Sequence, residues 1–131
     1  MARQNISTGS PYEESIGFSR AVKIGNMLAV SGTAPIKPGG STACVGDVYE
    51  QTKYCLGIIE RAIKEAGGTL DNVIRTRIMM RDISQWQEAG RAHGEFFGQI
   101  KPASTFFQAS SFINEEWLVM IEADCYVEGW V

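Results

Sequence analysis

The clearest hydrophobic pattern in this chain is an alternation near its end, over residues 118–127. Alternate side chains of a β-strand point to opposite faces, so a period of two predicts a strand here. One predicted face is entirely apolar and consists of Val119, Ile121, Ala123, Cys125 and Val127. The other face carries two carboxylates, Glu122 and Asp124, among Leu118, Met120 and Tyr126. Since an unpaired buried carboxylate is costly, each should meet a partner or a solvated cleft.

The remaining periodicities predict four further strands or hairpin arms and two helices. Apolar runs on both sides of Gly25-Asn26 are typical of a hairpin. Apolar residues at spacings of three and four predict a helix from an Asp47 cap to Ala66, ended by Gly67-Gly68. The other predicted elements are a strand at 73–80, a helix at 84–97 with Trp86, Ala89, His93, Phe96 and Phe97 inward, and a strand at 104–109.

This order of elements predicts an α+β fold with a single mixed β-sheet and two helices packed on one face. Residues 1–16 are polar and are expected to form an irregular N-terminal segment, and residues 17–131 a single domain. With both helices on one face, no helix is left to cover the other. The opposite face, which bears Glu122, is therefore expected to be buried by another subunit.

Composition narrows the classes of partner and cofactor. The net charge of −3 gives no electrostatic reason to expect nucleic acid or an anionic membrane. The three cysteines have no metal-like spacing and there is one histidine, so no metal or other cofactor is expected. The odd number of cysteines predicts free thiols, which favour a cytoplasmic protein. The same location is favoured because the N-terminus is polar without an apolar signal core and no apolar run is long enough to span a membrane.

Glu122 is the side chain with the most chemical promise. A carboxylate beside Met120 on a partly buried sheet face can accept a proton from water. Asp124 lies two residues further along the same face, and it is expected to pair with Arg75 or Arg77 across the sheet. His93, on the inward stripe of its helix, is interpreted as a packed residue rather than a catalyst.

Several short motifs, in this order, resemble the RidA/YjgF family, also called endoribonuclease L-PSP. They are Gly25-Asn26-Met27 with Ser31-Gly32, Gln51-Thr52, Ala66-Gly67, Asp82, Phe96-Phe97, Pro102-Ala103 and Ile121-Glu122-Ala123. The resemblance implies a chorismate-mutase-like fold and a homotrimer with a central barrel and clefts between subunits. It also implies hydrolysis of enamines or imines, with Glu122 as the catalytic glutamate and Ser31 and Gly32 as cleft backbone.

The chain departs from the family pattern at four positions. Ser104 stands where the family has the arginine that binds the substrate carboxylate, and Phe18, Thr33 and Gly90 replace a tyrosine, a glutamine and an asparagine. A neutral hydroxyl cannot replace a bidentate guanidinium, so inefficient 2-imino acid deamination is expected unless Arg91 or a neighbour's arginine substitutes. Ser104 and Thr33 would then supply hydrogen bonds, and Phe18 and Phe106 apolar walls.

Three functions remain open from the sequence. The first is an enzyme that hydrolyses or tautomerises a small organic molecule by means of Glu122. The second is a non-catalytic trimer that uses the same cleft to bind a small ligand or to act as a regulatory protein. The third, an RNA-cleaving translation inhibitor, is disfavoured by the acidic balance and the single histidine.

Overall fold

The computed structural model describes residues 2–128, which form one six-stranded sheet and three helices. The strands are β1 Arg3–Ile6, β2 Ala21–Ile24, β3 Met27–Thr33, β4 Val73–Met80, β5 Ala103–Gln108 and β6 Val119–Tyr126. The helices are α1 Pro11–Ile16, α2 Val48–Glu65 and α3 Trp86–Phe97. Within residues 2–128, no helix combines the length and the hydrophobicity that crossing a membrane requires.

The sheet is mixed, as the sequence predicts. Its strand order is β1-β2-β3-β6-β4-β5, and only the β4–β5 pair is parallel. Two antiparallel strands can be joined by a tight turn, as β2 and β3 are at Gly25-Asn26, whereas the parallel pair needs a crossover, which α3 provides. The last strand thus lies at the centre of the sheet, between β3 and β4.

The core lies between one sheet face and the helices α2 and α3. The predicted apolar face of β6 is buried throughout, and the stripe of α2 packs against it with Cys55, Leu56, Ile59 and Ile63 fully buried. Asp47 caps α2 by accepting a hydrogen bond from the Glu50 backbone, and Gly67 ends the helix with a φ of 92°. The α+β class with two helices on one sheet face is confirmed.

The N-terminal segment is not irregular, and the prediction for residues 1–16 was wrong. Strand β1 pairs antiparallel with β2, and helix α1 begins with a capping box between Ser10 and Glu13. Only Ile6 of β1 is buried, so the strand has no hydrophobic alternation to reveal it; its backbone hydrogen bonds hold it. Met1 and residues 129–131, the ends of the two predicted ranges, lie outside the described residues.

The second helix differs from its prediction at its first residue. A 3₁₀ turn over Ile83–Gln85 precedes α3, and Trp86, expected to face inward, is 52% exposed. The buried stripe begins one turn later, at Ala89, and continues to Phe97. Trp86 therefore lies beyond the end of the surface that the helix packs against.

Candidate functional site

A groove of about 450 Å³ lies on the sheet face that the helices leave open. Its walls come from strands β1, β2, β3, β4 and β6 and from the turn before β2. The lining residues are Arg3, Asn5, Gly17, Phe18, Ser19, Val22, Ala29, Val30, Ser31, Arg77, Glu122 and Asp124. Three residues that the sequence assigned to one site, Phe18, Ser31 and Glu122, therefore meet in this groove.

Glu122 belongs to a ladder of alternating charges across the β4–β6 pair. Arg77 is opposite Glu122 and Arg75 opposite Asp124 in the strand register. The Arg77 Nη1 atom lies 3.1 Å from Glu122 Oε1 and 3.2 Å from Asp124 Oδ2, and Arg75 Nε lies 3.8 Å from Asp124 Oδ2. The expected pairing of Asp124 is confirmed, and Arg77 also holds Glu122.

The ladder orients the carboxylates more than it stabilises the fold. The side chains of Arg77, Glu122 and Asp124 are 38%, 35% and 33% exposed, so water screens their attraction. The hydrogen bond from Arg77 reaches the Oε1 atom of Glu122. A carboxylate held in this way can accept a proton from a molecule in the groove.

Ser31 is fixed at the groove wall by the backbone of the adjacent turn. Its hydroxyl donates to the carbonyl oxygens of Ser19 and Arg20, at 3.0 and 3.1 Å. The hydroxyl oxygen retains lone pairs that can accept from a ligand. Arg3 and Asn5 were missed because the segment that forms β1 was predicted to be irregular. Asn5 donates to the Ser19 hydroxyl at 2.9 Å, and no separate signal in the sequence points to Ser19.

Neither Gly32 nor Thr33 lines the groove, although both follow Ser31 directly in the chain. A β-bulge between Val30 and Thr33 shifts the register and turns Thr33 towards the interior, where it is 1% exposed. The Thr33 hydroxyl donates to the Ser31 carbonyl oxygen at 2.8 Å. A Cβ on Gly32 would lie 3.0 Å from the Met120 sulfur, so a larger residue here would require the Met120 side chain to move.

Ser104 lies on the other face of the sheet from Glu122. It is paired in register with Thr76, which is fully buried, and the two hydroxyl oxygens are 2.7 Å apart. Neighbours in register share a face, whereas Arg77, next to Thr76 in β4, points to the open face with Glu122. Within one chain, therefore, Ser104 is not part of the groove.

The surroundings of Ser104 form a second cluster that includes the single histidine. Thr76 Oγ1 is 2.9 Å from His93 Nε2, which links Ser104, Thr76 and His93 in one chain of hydrogen bonds. The His93 ring packs against Phe97 and Phe106, with centroids 4.7 and 5.7 Å apart. Burial lowers the pKa of His93. His93 is thus packed, as interpreted, and it is also hydrogen-bonded to Thr76 of β4, which in turn bonds Ser104 of β5.

Arg91 lies apart from both clusters. Its guanidinium stacks 3.7 Å from the ring centroid of Tyr49 and donates to Glu88 at 2.7 Å. Arg91 is on the polar face of α3, opposite the buried Ala89 and Phe97. It does not replace the missing arginine within its own chain.

Known protein families match almost the whole chain. The family model for endoribonuclease L-PSP matches residues 10–127. An uncharacterized protein of Streptomyces coelicolor is 39% identical over 125 residues, which cover 95% of this chain and 92% of the relative. The 3-aminoacrylate deaminase RutC of Acinetobacter baylyi is 31% identical over 107 residues, covering 82% and 84%.

Solved structures agree with these matches. A YjgF-family protein of Mycobacterium tuberculosis is 40% identical and superimposes with a TM-score of 0.87, covering 96% of this chain and 100% of the other. A Rid-family protein of unknown function from Yersinia pestis is 29% identical, with a TM-score of 0.84 and coverages of 96% and 100%. The chain belongs to the RidA/YjgF family, the endoribonuclease L-PSP family.

Proposed function

We propose that this protein is a homotrimer that binds a small organic molecule in clefts between subunits and hydrolyses it in a deaminase-like reaction. The observation that carries the proposal is the groove itself. It brings Glu122 together with Ser31 and Phe18, and Arg77 holds the carboxylate from one side at 3.1 Å. Its volume of about 450 Å³ is in the range of small-molecule sites.

The proposed assembly has two supports. The open sheet face carries Ile24, Met27, Phe107 and Tyr126, all at least 40% exposed, and a second copy would cover them. In addition, Ser104 and Glu122 lie on opposite faces in one chain. They can contribute to one site only if a neighbouring subunit brings its β5 edge to this groove, as in a closed ring of three with the sheets inside.

The proposed chemistry is addition of water to an activated carbon. Glu122 accepts a proton from water while the water oxygen bonds to the imine carbon, and the protonated Glu122 then returns that proton to the nitrogen. The resulting carbinolamine loses ammonia, and the carbonyl product forms. The name of the Acinetobacter baylyi relative, a 3-aminoacrylate deaminase, supports an enamine or imine as the substrate class. Free thiols in the described chain fit a reducing compartment, and we place the protein in the cytoplasm.

The substrate is proposed to be less anionic than a 2-imino acid. Ser104 offers a hydroxyl that is already bonded to Thr76, and Arg77 is occupied by two carboxylates. Neither provides the free guanidinium fork that a substrate carboxylate needs. We therefore expect the wild-type protein to raise the hydrolysis rate of 2-aminoacrylate and 2-iminobutanoate, made in situ, hardly above the spontaneous rate.

The test measures 2-oxo acid and ammonia release above the spontaneous rate. The variants are Ser104→Arg, Ser104→Arg/Glu122→Gln and, as a matched control, Ser104→Arg/Glu115→Gln, which changes an exposed glutamate outside the groove. Ser104→Arg should gain activity, the Glu122 variant should lose it, and the Glu115 control should keep it. The gain will be partial, because Phe18 and Gly90 also differ from the family pattern.

Two results would contradict the proposal. Fast turnover of 2-imino acids by the wild type would mean that another basic group binds the carboxylate. A trimeric Ser104→Arg variant without activity, together with no turnover of neutral enamines by the wild type, would leave the non-catalytic ligand-binding trimer as the better description.

A further inference from the structure

A second, smaller cavity lies away from the groove, between the segment before α1, the end of β3 and the side of α2. Its volume is about 60 Å³. A cavity needs roughly 10–15 Å³ of volume for each water molecule that it holds, so this one has room for about four waters or one tetrahedral oxyanion. Buried Arg20 and Thr33 form its floor, and exposed Lys37 and Arg61 stand at its mouth.

The cavity concentrates positive charge in a chain whose net charge is −3. Three of its lining residues are cations, Arg20, Lys37 and Arg61, and none is an acid. Among residues 2–128, no carboxylate lies within 4 Å of the charged nitrogens of Lys37 or Arg61. The excess charge is therefore not neutralised by the protein on this side.

Glu13, the acid whose charge acts on Arg20, is hydrogen-bonded to other groups. Its Oε2 atom accepts from the Thr8 backbone, the Thr8 hydroxyl and the Ser10 backbone, each at 3.3 Å. Burial opposes the ionisation of Glu13, but these hydrogen bonds and the charge of Arg20 outweigh it, and the pKa of Glu13 is lowered. Glu13 contributes to the field at Arg20 without forming a direct ion pair with it.

Arg20 supplies the second, independent observation. It is 4% exposed, and its Nη1 atom donates to the Gly32 carbonyl oxygen at 2.7 Å and to the Thr33 hydroxyl at 3.1 Å. Its Nε atom is buried and has no hydrogen-bond partner in residues 2–128. A buried N–H of a charged group is costly to leave unpaired, so an acceptor that reached Nε would stabilise Arg20.

We propose that this basic cavity binds a tetrahedral oxyanion, namely a phosphate group, free or as a monoester. A guanidinium matches the geometry of phosphate oxygens. The two positive charges at the mouth, one on Lys37 and one on Arg61, would balance the charge of a dianion. Lys37 and Arg61 would close over the anion, while Arg20 would bind it from the floor. This site is distinct from the groove around Glu122, since the cavity and the groove have no lining residue in common.

The experiment titrates full-length protein with inorganic phosphate and with methyl phosphate, at constant ionic strength set by sodium chloride. Amide NMR shifts of Gly9 and Thr33 report on the cavity, and that of Glu122 reports on the groove. The test variant is Lys37→Gln/Arg61→Gln, which changes two exposed side chains, and the matched control is Arg91→Gln/Lys101→Gln, also exposed. Arg20→Lys is a second test, provided that its circular dichroism matches the wild type.

Saturable binding that moves Gly9 and Thr33, and not Glu122, supports the proposal. The test variant should bind at least about tenfold more weakly, since charge-assisted bonds are lost, and the control should stay within twofold. Equal binding of both probes would indicate a phosphorylated small molecule, and binding of inorganic phosphate alone would indicate the free ion. Absence of saturable binding, tighter binding of acetate, or an equal loss in the control would overturn the proposal. None of these outcomes depends on enzymatic activity.

Discussion

At the scale of single residues, the chemistry of this protein is set by which side chains share a face. Glu122 and Asp124 share one guanidinium, that of Arg77, on the open face. Thr76, the neighbour of Arg77 along β4, points the other way and connects Ser104 to His93. The two candidate clusters are thus separated by the thickness of one sheet, although their residues are adjacent along the same strand.

His93 should make stability depend on pH. Its pKa is lowered in the folded state by burial, so the unfolded chain takes up a proton at higher pH than the folded chain does. Neutral His93 therefore contributes to the stability of the folded state above its ordinary pKa of about 6.5. This contribution to stability is lost as the pH falls below that value. Between pH 7.5 and 5.5 the free energy of unfolding should fall more for wild type than for His93→Gln, by at most about 1.4 kcal/mol per pH unit.

Urea unfolding at one fixed protein concentration measures this difference, since assembly makes apparent stability depend on concentration. The comparison isolates His93 because it is the single histidine of the chain. Identical pH dependence in wild type and His93→Gln would contradict the prediction.

The three thiols should differ sharply in reactivity. Burial and, to a lesser degree, the charge of Asp124 raise the pKa of Cys125 to about 12, and burial raises that of Cys55 as well. Cys44 is exposed. Because the thiolate is the reactive form, a thiol reagent should modify one cysteine per folded chain and three per chain unfolded without reductant. A titre of one in the unfolded protein would reveal a disulfide.

At the scale of elements, α2 does more than cover the sheet. Gln51 is fully buried and ties the helix to two loops, because its Nε2 atom donates to the carbonyl oxygens of Ala43 and Glu116 at 3.2 and 2.9 Å. Its Oε1 atom accepts from the Leu118 backbone at 2.8 Å. The chain entering β6, and with it the position of Glu122, thus depends on one amide side chain.

Gln51→Met should be among the more damaging single substitutions. Methionine has a similar shape, but it removes one buried and two partly buried hydrogen bonds to the backbone, and a buried group left unpaired costs about 1–3 kcal/mol. We expect the free energy of unfolding to drop by about 3 kcal/mol or more in urea titrations. The control, Gln87→Met on the exposed side of α3, should change it by less than about 0.5 kcal/mol. A loss equal to that of the control would mean that water or a shifted loop satisfies these groups.

At the scale of the whole molecule, one sheet face is covered by helices and the other is open within a single chain. The central strand β6 shows both environments, since Val119, Ile121, Ala123 and Cys125 on one face are fully buried while Glu122 and Asp124 on the other line a groove. An open face with large exposed apolar side chains is unusual for an isolated monomer. The arrangement therefore bears directly on assembly.

Light scattering at micromolar concentration should give three times 14.4 kDa. The physical reason is the apolar area on the open face, to which Met27 and Tyr126 contribute at 49% and 42% exposure. Met27→Glu should weaken assembly, because it places a charge in that face, whereas Val45→Glu, at a loop residue that is 62% exposed, should not. A monodisperse monomer at this concentration would contradict both the trimer and the shared cleft.

The sequence by itself determined the elements whose side chains alternate in environment. The faces of β6, the stripe of α2 and the Gly25-Asn26 hairpin follow from periodicity and turn chemistry, which are local properties. The tertiary structure alone decided the rest. Strand β1 is held by backbone pairing that carries no side-chain signal, and a bulge in β3 sends Thr33 inward. The register of β4 with β5 places Ser104 beside Thr76 and away from Glu122, because strand register is fixed by long-range packing and not by neighbours in sequence.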